Sequence, residues 1–229
     1  GPAAMMTSLD MQGFSISVLP AEKADLDLLA KPVGLAAWPG VTAMRPVNFI
    51  ALPDGLTPIA PLASQHLPTR QFLTECCKLL IEAEKHLNAL DAKSGDGDTG
   101  STLASAARAL IEALDRLPLA DHTQLFRAMG QELSQTMGGS SGVLLAIFFA
   151  AAGDGASSGL GMRDALKAGL ARMQEIGGAE LGDRTMVDAL SPALDAYDKG
   201  FAAAASAARA GANLTATYLS ARAGDRKSV

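Results

Sequence analysis

This sequence of 229 residues is short of basic charge: 19 lysines and arginines face 24 aspartates and glutamates, for a net charge of −5. A broad basic footprint for nucleic acid is not expected on such a chain. Clusters of phosphate can still be held locally, through a metal. Cysteine is scarce as well. The two present, Cys76 and Cys77, are adjacent in a helical pattern and badly placed to bridge each other. That excludes a disulfide framework and fits a reducing, cytoplasmic setting. No run of about 18 uncharged apolar residues marks a membrane span. The longest candidate, Val143 to Ala152, is too short and reads as a buried helix. No basic segment followed by an apolar core opens the chain, so no leader is expected. Gly1-Pro2-Ala3-Ala4-Met5 reads as an expression scar. The sequence also contains no G-x-x-x-x-G-K-[ST], which excludes a P-loop.

What is present divides at about residue 66. Phe14-Ser15-Ile16-Ser17-Val18 alternates apolar and polar residues, a strand pattern with no partner strand later in the chain. The stretch from Pro20 to Pro68 holds eight of the eleven prolines, which forbids long helices and favours an extended connector. Residues 6–66 are therefore expected to be a domain remnant followed by a Pro-rich linker. From Thr69 onward the pattern is helical. Phe72, Cys76, Leu79, Leu80, Ala83, Leu87 and Leu90 form one stripe, predicting a single helix from a Thr69 cap to about Asp91. Further helices are predicted over about 101–117, 121–136 (capped by Asp121), 143–152, 162–176 and 186–197, the last with a kink at Pro192. The alanine-rich end, 201–223, supplies one or two more. The helix over 143–152 is apolar on nearly all sides and should be central. Residues 67–229 are thus expected to form an all-α domain, an antiparallel bundle with short connections.

The chemistry concentrates in Leu90-Asp91-Ala92-Lys93-Ser94-Gly95-Asp96-Gly97-Asp98-Thr99-Gly100-Ser101-Thr102. Three carboxylates this close repel one another unless a cation holds them, and hard divalent cations take oxygen ligands. The glycines spell G-x-G-x-x-G, but a helix rather than a strand precedes them, so the dinucleotide fingerprint is excluded. An EF-hand loop starting at Asp96 would need acidic or amide side chains where Gly100 and Ala107 stand. What remains is a turn between helices, with Gly100-Ser101-Thr102 opening a helix whose free N–H groups suit an anion. Spacing alone equally allows Asp98, Ser101 and Thr102 to be plain caps, with Asp96 in solvent. A second stretch, Met137-Gly138-Gly139-Ser140-Ser141-Gly142, offers close backbone approach and N–H donors, or a flexible interhelical turn. In a third, Gly182-Asp183-Arg184-Thr185-Met186, Asp183 could simply cap the next helix.

In this order the three stretches resemble the nucleotide-binding domain of the dihydroxyacetone (glycerone) kinases, from about residue 69 to 220. Residues 6–16 look like the last strand of that family's substrate-binding domain. The resemblance implies a barrel of about eight helices with ATP or ADP at one rim and, in relatives, a lipid in the apolar interior. Carried over by position, Asp91, Asp96 and Asp98 would bind two Mg²⁺ ions that bridge the phosphates. Thr99, Gly100, Ser101 and Thr102, with Gly139, Ser140 and Ser141, would contact the phosphates. Gly177, Thr185 and Met186 would lie around the nucleoside.

Two departures stand out. The family follows its last long helix with A-G-R-x-S-Y and D-P-G, whereas this sequence ends Ala223-Gly224-Asp225-Arg226-Lys227-Ser228-Val229. An altered nucleotide lid is expected. The family also holds its ketone through a histidine of the first domain, and His66, His86 and His122 match no such motif. They are read as linker or helix-surface residues. The implied reaction is transfer of the ATP γ-phosphoryl group to a hydroxyl of a short-chain ketose held by a separate domain or chain. The rivals are a non-catalytic nucleotide- or lipid-binding module and the ATP-binding part of a fatty-acid kinase. Oligomeric state is left open, a homodimer included.

Overall fold

The computed structural model describes residues 20–32, 34, 61–93 and 95–218. The expected strand at 14–18, most of the Pro-rich connector and the tail from residue 219 lie outside the described residues. The chain divides into two units, Gly1–Pro58 and Ile59–Val229. In the first, α1 (Lys23–Leu29) lies between Pro20 and Pro32 and starts with a capping box between Glu22 and Asp25.

Eight helices are described in the second unit, and the described residues there contain no strand. They are α2 (Leu67–Glu82), α3 (Glu84–Asp91), α4 (Thr99–Ala113), α5 (His122–Thr136), α6 (Gly139–Ser157), α7 (Met162–Gly177), α8 (Val187–Asp195) and α9 (Phe201–Leu214). The all-α expectation holds. Asp121 caps α5 as its sequence position predicts, accepting the amides of Thr123 and Gln124. Four boundaries differ from expectation. The long first helix is broken at Ala83 into α2 and α3, and it begins at Leu67 with His66, not Thr69, in the cap position. Thr69 bonds to the His66 ring instead, at 2.7 Å. The glycine–serine stretch is not a turn but the first turn of α6, which therefore runs for 19 residues. By length and composition alone α6 is long enough to cross a membrane. The eighth helix stops at Asp195, and a 3₁₀ turn at Tyr197–Lys199 follows.

Sequential helices pack side by side in the order α4, α5, α6, α7, α8, α9, with α2 and α3 against α4. The connection between α5 and α6 is two residues long, and neighbours joined that tightly run antiparallel. The ring is completed where Phe72 of α2 stacks on Phe201 of α9, 6.0 Å between ring centres. α6 was expected to be central. It lies between α5 and α7, but it is only partly buried because one side faces a cavity rather than a neighbour. That cavity, about 650 Å³, is walled mainly by apolar side chains such as Leu73, Leu103, Leu110, Leu133 and Phe149. Packed layers flank it. Leu117, Leu119, Leu125 and Met129 form one, and Phe148, Leu170, Met173, Val187 and Leu194 another. The antiparallel order puts the start of α4, the start of α6 and the α7–α8 loop at one end of the barrel.

Candidate metal and nucleotide site

The site is built from the α3–α4 loop. Asp91 is the last residue of α3, and its Oδ2 accepts the amides of Gly97 (3.0 Å), Asp98 (3.1 Å) and Thr99 (3.3 Å). One carboxylate oxygen thus folds the loop back over the helix end. Three backbone donors to one anion are an arrangement that charge-assisted hydrogen bonds stabilise. Partial desolvation raises the Asp91 carboxyl, but the hydrogen bonds from Thr99, Asp98 and Gly97 outweigh it and hold the group below the usual carboxylate range. Asp96 and Asp98 are exposed. Asp98 is pushed up, chiefly by the negative charge of Asp96 beside it, with smaller contributions that include Asp91. One oxygen of each of Asp91, Asp96 and Asp98 lies within 4.8 Å of the others. Mutual repulsion, half-solvated oxygens and that spacing are what a hard divalent cation relieves. The donor set fits Mg²⁺, which keeps several waters and takes one or two carboxylates per ion.

Behind the loop lies a polar clamp that the sequence reading did not single out. Asn88 donates to the Ser101 hydroxyl at 2.9 Å and accepts the Ser101 amide at 3.0 Å. The Ser101 hydroxyl donates in turn to Glu84 at 3.1 Å, and Arg108 donates to the other Glu84 oxygen at 2.8 Å. The hydrogen bonds from Arg108 and Ser101 hold the Glu84 carboxyl below its ordinary value. The amide and hydroxyl of Ser101 are therefore engaged with α3. Gly100 is buried where α4 crosses α3, and a Cβ there would sit 2.1 Å from the carbonyl oxygen of Glu84. Thr99 is exposed at the mouth of α4, and the Thr102 amide bonds to the Asp98 carbonyl inside the helix. Of these four residues, Thr99 is the one that faces outward.

The second stretch starts α6. Gly138 holds the cap position and Gly139 has φ of 73°, a left-handed conformation that favours glycine. Ser140 is exposed and Ser141 half-buried, both in the first turn, where amides lack helical acceptors. The third stretch is held near it. Gly177, the last residue of α7, lies against α6, with Leu144 Cδ2 3.0 Å from where its Cβ would be. The loop that follows carries Thr185 and Met186 into α8, both half-buried. Asp183 does not cap α8; it accepts the Glu180 amide at 2.8 Å. Asp188, inside the first turn of α8, takes the loop amides instead.

Residues 93–226 match the DAK2 domain. The chain belongs to the DAK2 domain family of the dihydroxyacetone kinases. It is 42% identical to the dihydroxyacetone kinase of Citrobacter freundii over 98% of this chain and 42% of that protein. It is 36% identical to the human triokinase/FMN cyclase over 81% of this chain and 34% of that protein. The crystal structure of the Citrobacter freundii kinase in complex with AMP-PNP and Mg²⁺ superposes with a TM-score of 0.70 at 40% identity, covering 86% of this chain and 37% of that one. The chain spans between about a third and two fifths of the length of the curated relatives it matches.

Proposed function

We propose that this chain is the Mg-ATP-binding part of a kinase that transfers the ATP γ-phosphoryl group to a hydroxyl of a short-chain ketose. The observation that carries the reading is the α3–α4 loop, where three carboxylates converge beside a helix start. When bound, Mg²⁺ ions would neutralise phosphate charge and align the transferring group. Asp91, Asp96 and Asp98 would hold two of them. The chain's own part in the reaction is positioning. Thr99, exposed at the mouth of α4, would lie against the phosphate oxygens, and the first turn of α6, with Gly139, Ser140 and Ser141, offers them donors. Gly100 and Ser101 support that face from behind, against Asn88 and Glu84, and Thr102 continues it as part of the first turn of α4. Gly177, Thr185 and Met186 bound the nucleoside. The reading calls for no covalent phospho-enzyme; the acceptor hydroxyl would come from a ketose held on a separate domain or chain.

We further read residues 6–66 as a substrate-domain remnant and linker, and the barrel cavity as a seat for an acyl chain. The cavity's volume and apolar wall support the latter. An ATP-consuming kinase of this kind would work in the cytoplasm. The experiment that tests the function adds a dihydroxyacetone kinase substrate-binding domain in trans and measures ATP turnover with dihydroxyacetone. Ketose-dependent turnover that needs both parts is expected. ATP binding without any turnover would instead favour a binding module.

A further inference from the structure

The α7–α8 loop shows an arrangement whose purpose neither its length nor its sequence declares. Asp188 is 2% exposed, the one buried acidic residue among the described residues. Its Oδ1 accepts the Gly182 amide at 2.6 Å and its Oδ2 the Thr185 amide at 2.9 Å. A buried carboxylate is costly unless hydrogen-bonded donors compensate it. Here both oxygens are used on two backbone amides three residues apart, in a helix first turn that favours negative charge. Those two bonds help fix a loop that carries one unfavourable backbone conformation, at Arg184. Arg184 has φ of 57°, in the left-handed region that non-glycine residues seldom adopt, and Gly182 has φ of 98°. Glycine takes such a φ freely, but at Arg184 it persists only where the surroundings over-determine it, and conformations of that kind cluster at ligand clamps.

The loop is also in the right place. Through Gly177 and Leu144 it adjoins the start of α6, at the barrel end that carries the carboxylates. Among the described residues, apolar side chains are exposed on the segments that meet there: Leu181 just before the loop is 62% exposed, Ile176 at the end of α7 52% and Val143 near the start of α6 56%. An apolar ledge beside a phosphate-binding end suits the base and sugar of a nucleotide.

We propose that Asp188 is a positioning residue for the nucleoside half of the bound nucleotide, setting the shape of loop 182–185 while leaving the metal loop untouched. The inference rests on the nucleotide-binding reading above. It separates two duties on one rim. The α3–α4 loop holds the phosphates, and the Asp188-bound loop holds what is attached to them.

The test is calorimetric titration of the intact chain with ATP and with inorganic tripolyphosphate, each with excess Mg²⁺. The wild type should bind ATP more tightly, because only ATP reaches the ledge. In Asp188→Asn one carboxylate oxygen becomes an NH₂ group, so one loop amide loses its acceptor whichever way the amide lies. ATP affinity should fall about tenfold, the scale of losses when an outer supporting partner is removed. Tripolyphosphate affinity should stay within about twofold of the wild type, well below that loss. Gly182→Ala perturbs the same loop from its other end. Its Cβ meets nothing within 4 Å, but φ of 98° is strained for alanine. It should give the same selective loss, and it decides the matter alone if Asp188→Asn does not fold. Equal weakening of both ligands, or unchanged ATP affinity, would overturn the proposal. A wild-type chain that binds neither ligand would instead overturn the nucleotide reading itself.

Discussion

Two loops at the same end of the barrel are each shaped by one aspartate, and the two aspartates differ in what they have left over. Asp91 commits Oδ2 to the amides of Gly97, Asp98 and Thr99, yet it remains half exposed with Asp96 and Asp98 alongside. Asp188 is buried and has both oxygens occupied by Gly182 and Thr185. The first is a scaffold that also brings an oxygen within 4.8 Å of the Asp96 and Asp98 carboxylates; the second is scaffold alone. An aspartate near a glycine-rich loop is thus no sign of a ligand until its lone pairs are accounted for.

The largest expected effect breaks the first loop without touching its scaffold. Asp96→Ala should abolish Mg²⁺-dependent ATP binding, by about a hundredfold or more, since a ligand outweighs the outer partners whose loss costs 10–100-fold. Its melting temperature without metal should not fall, because a repelling charge beside Asp98 is gone. Calorimetry with paired thermal melts checks both. Asp91→Ala should lose binding equally and also melt lower, by about 1–2 kcal/mol, because three loop amides lose their acceptor. Equal melts for the two variants would erase the distinction between ligand and scaffold.

Next comes Gly100→Ala. A methyl group 2.1 Å from the Glu84 carbonyl oxygen forces α4 off α3, with a cost of about 1–3 kcal/mol read by denaturant unfolding. The smallest effect lies behind the loop. The folded Glu84 carboxyl is lowered by its hydrogen bonds to Arg108 and Ser101. Its stabilisation is present above the unfolded carboxylate range and is lost as pH falls through the folded value. Glu84→Gln should therefore flatten the drop in melting temperature between about pH 5 and pH 3.

Much of this was legible in the sequence, and the remainder was hidden for physical reasons. The Asp121 cap, the helix over about 162–176 and the three carboxylates follow from local chemistry, which a sequence displays. The break at Ala83 does not, since alanine is a strong helix former and nothing local forbids continuing. Gly138 to Gly142 has the composition of a turn, yet a left-handed Gly139 starts α6 there. Asn88, Glu84 and Asp188 looked like ordinary polar positions on helical patterns. Their roles come from partners 13, 17 and 6 residues away, and pairings of that kind are made by the fold.

The central claim is that the α3–α4 loop holds nucleotide phosphates through metal. Calorimetric titration of ATP into the intact chain, with Mg²⁺ and then with a chelator, tests it most directly. Binding is expected with Mg²⁺ and should disappear with the chelator and in Asp96→Ala. ATP affinity that is the same in all three cases would contradict it.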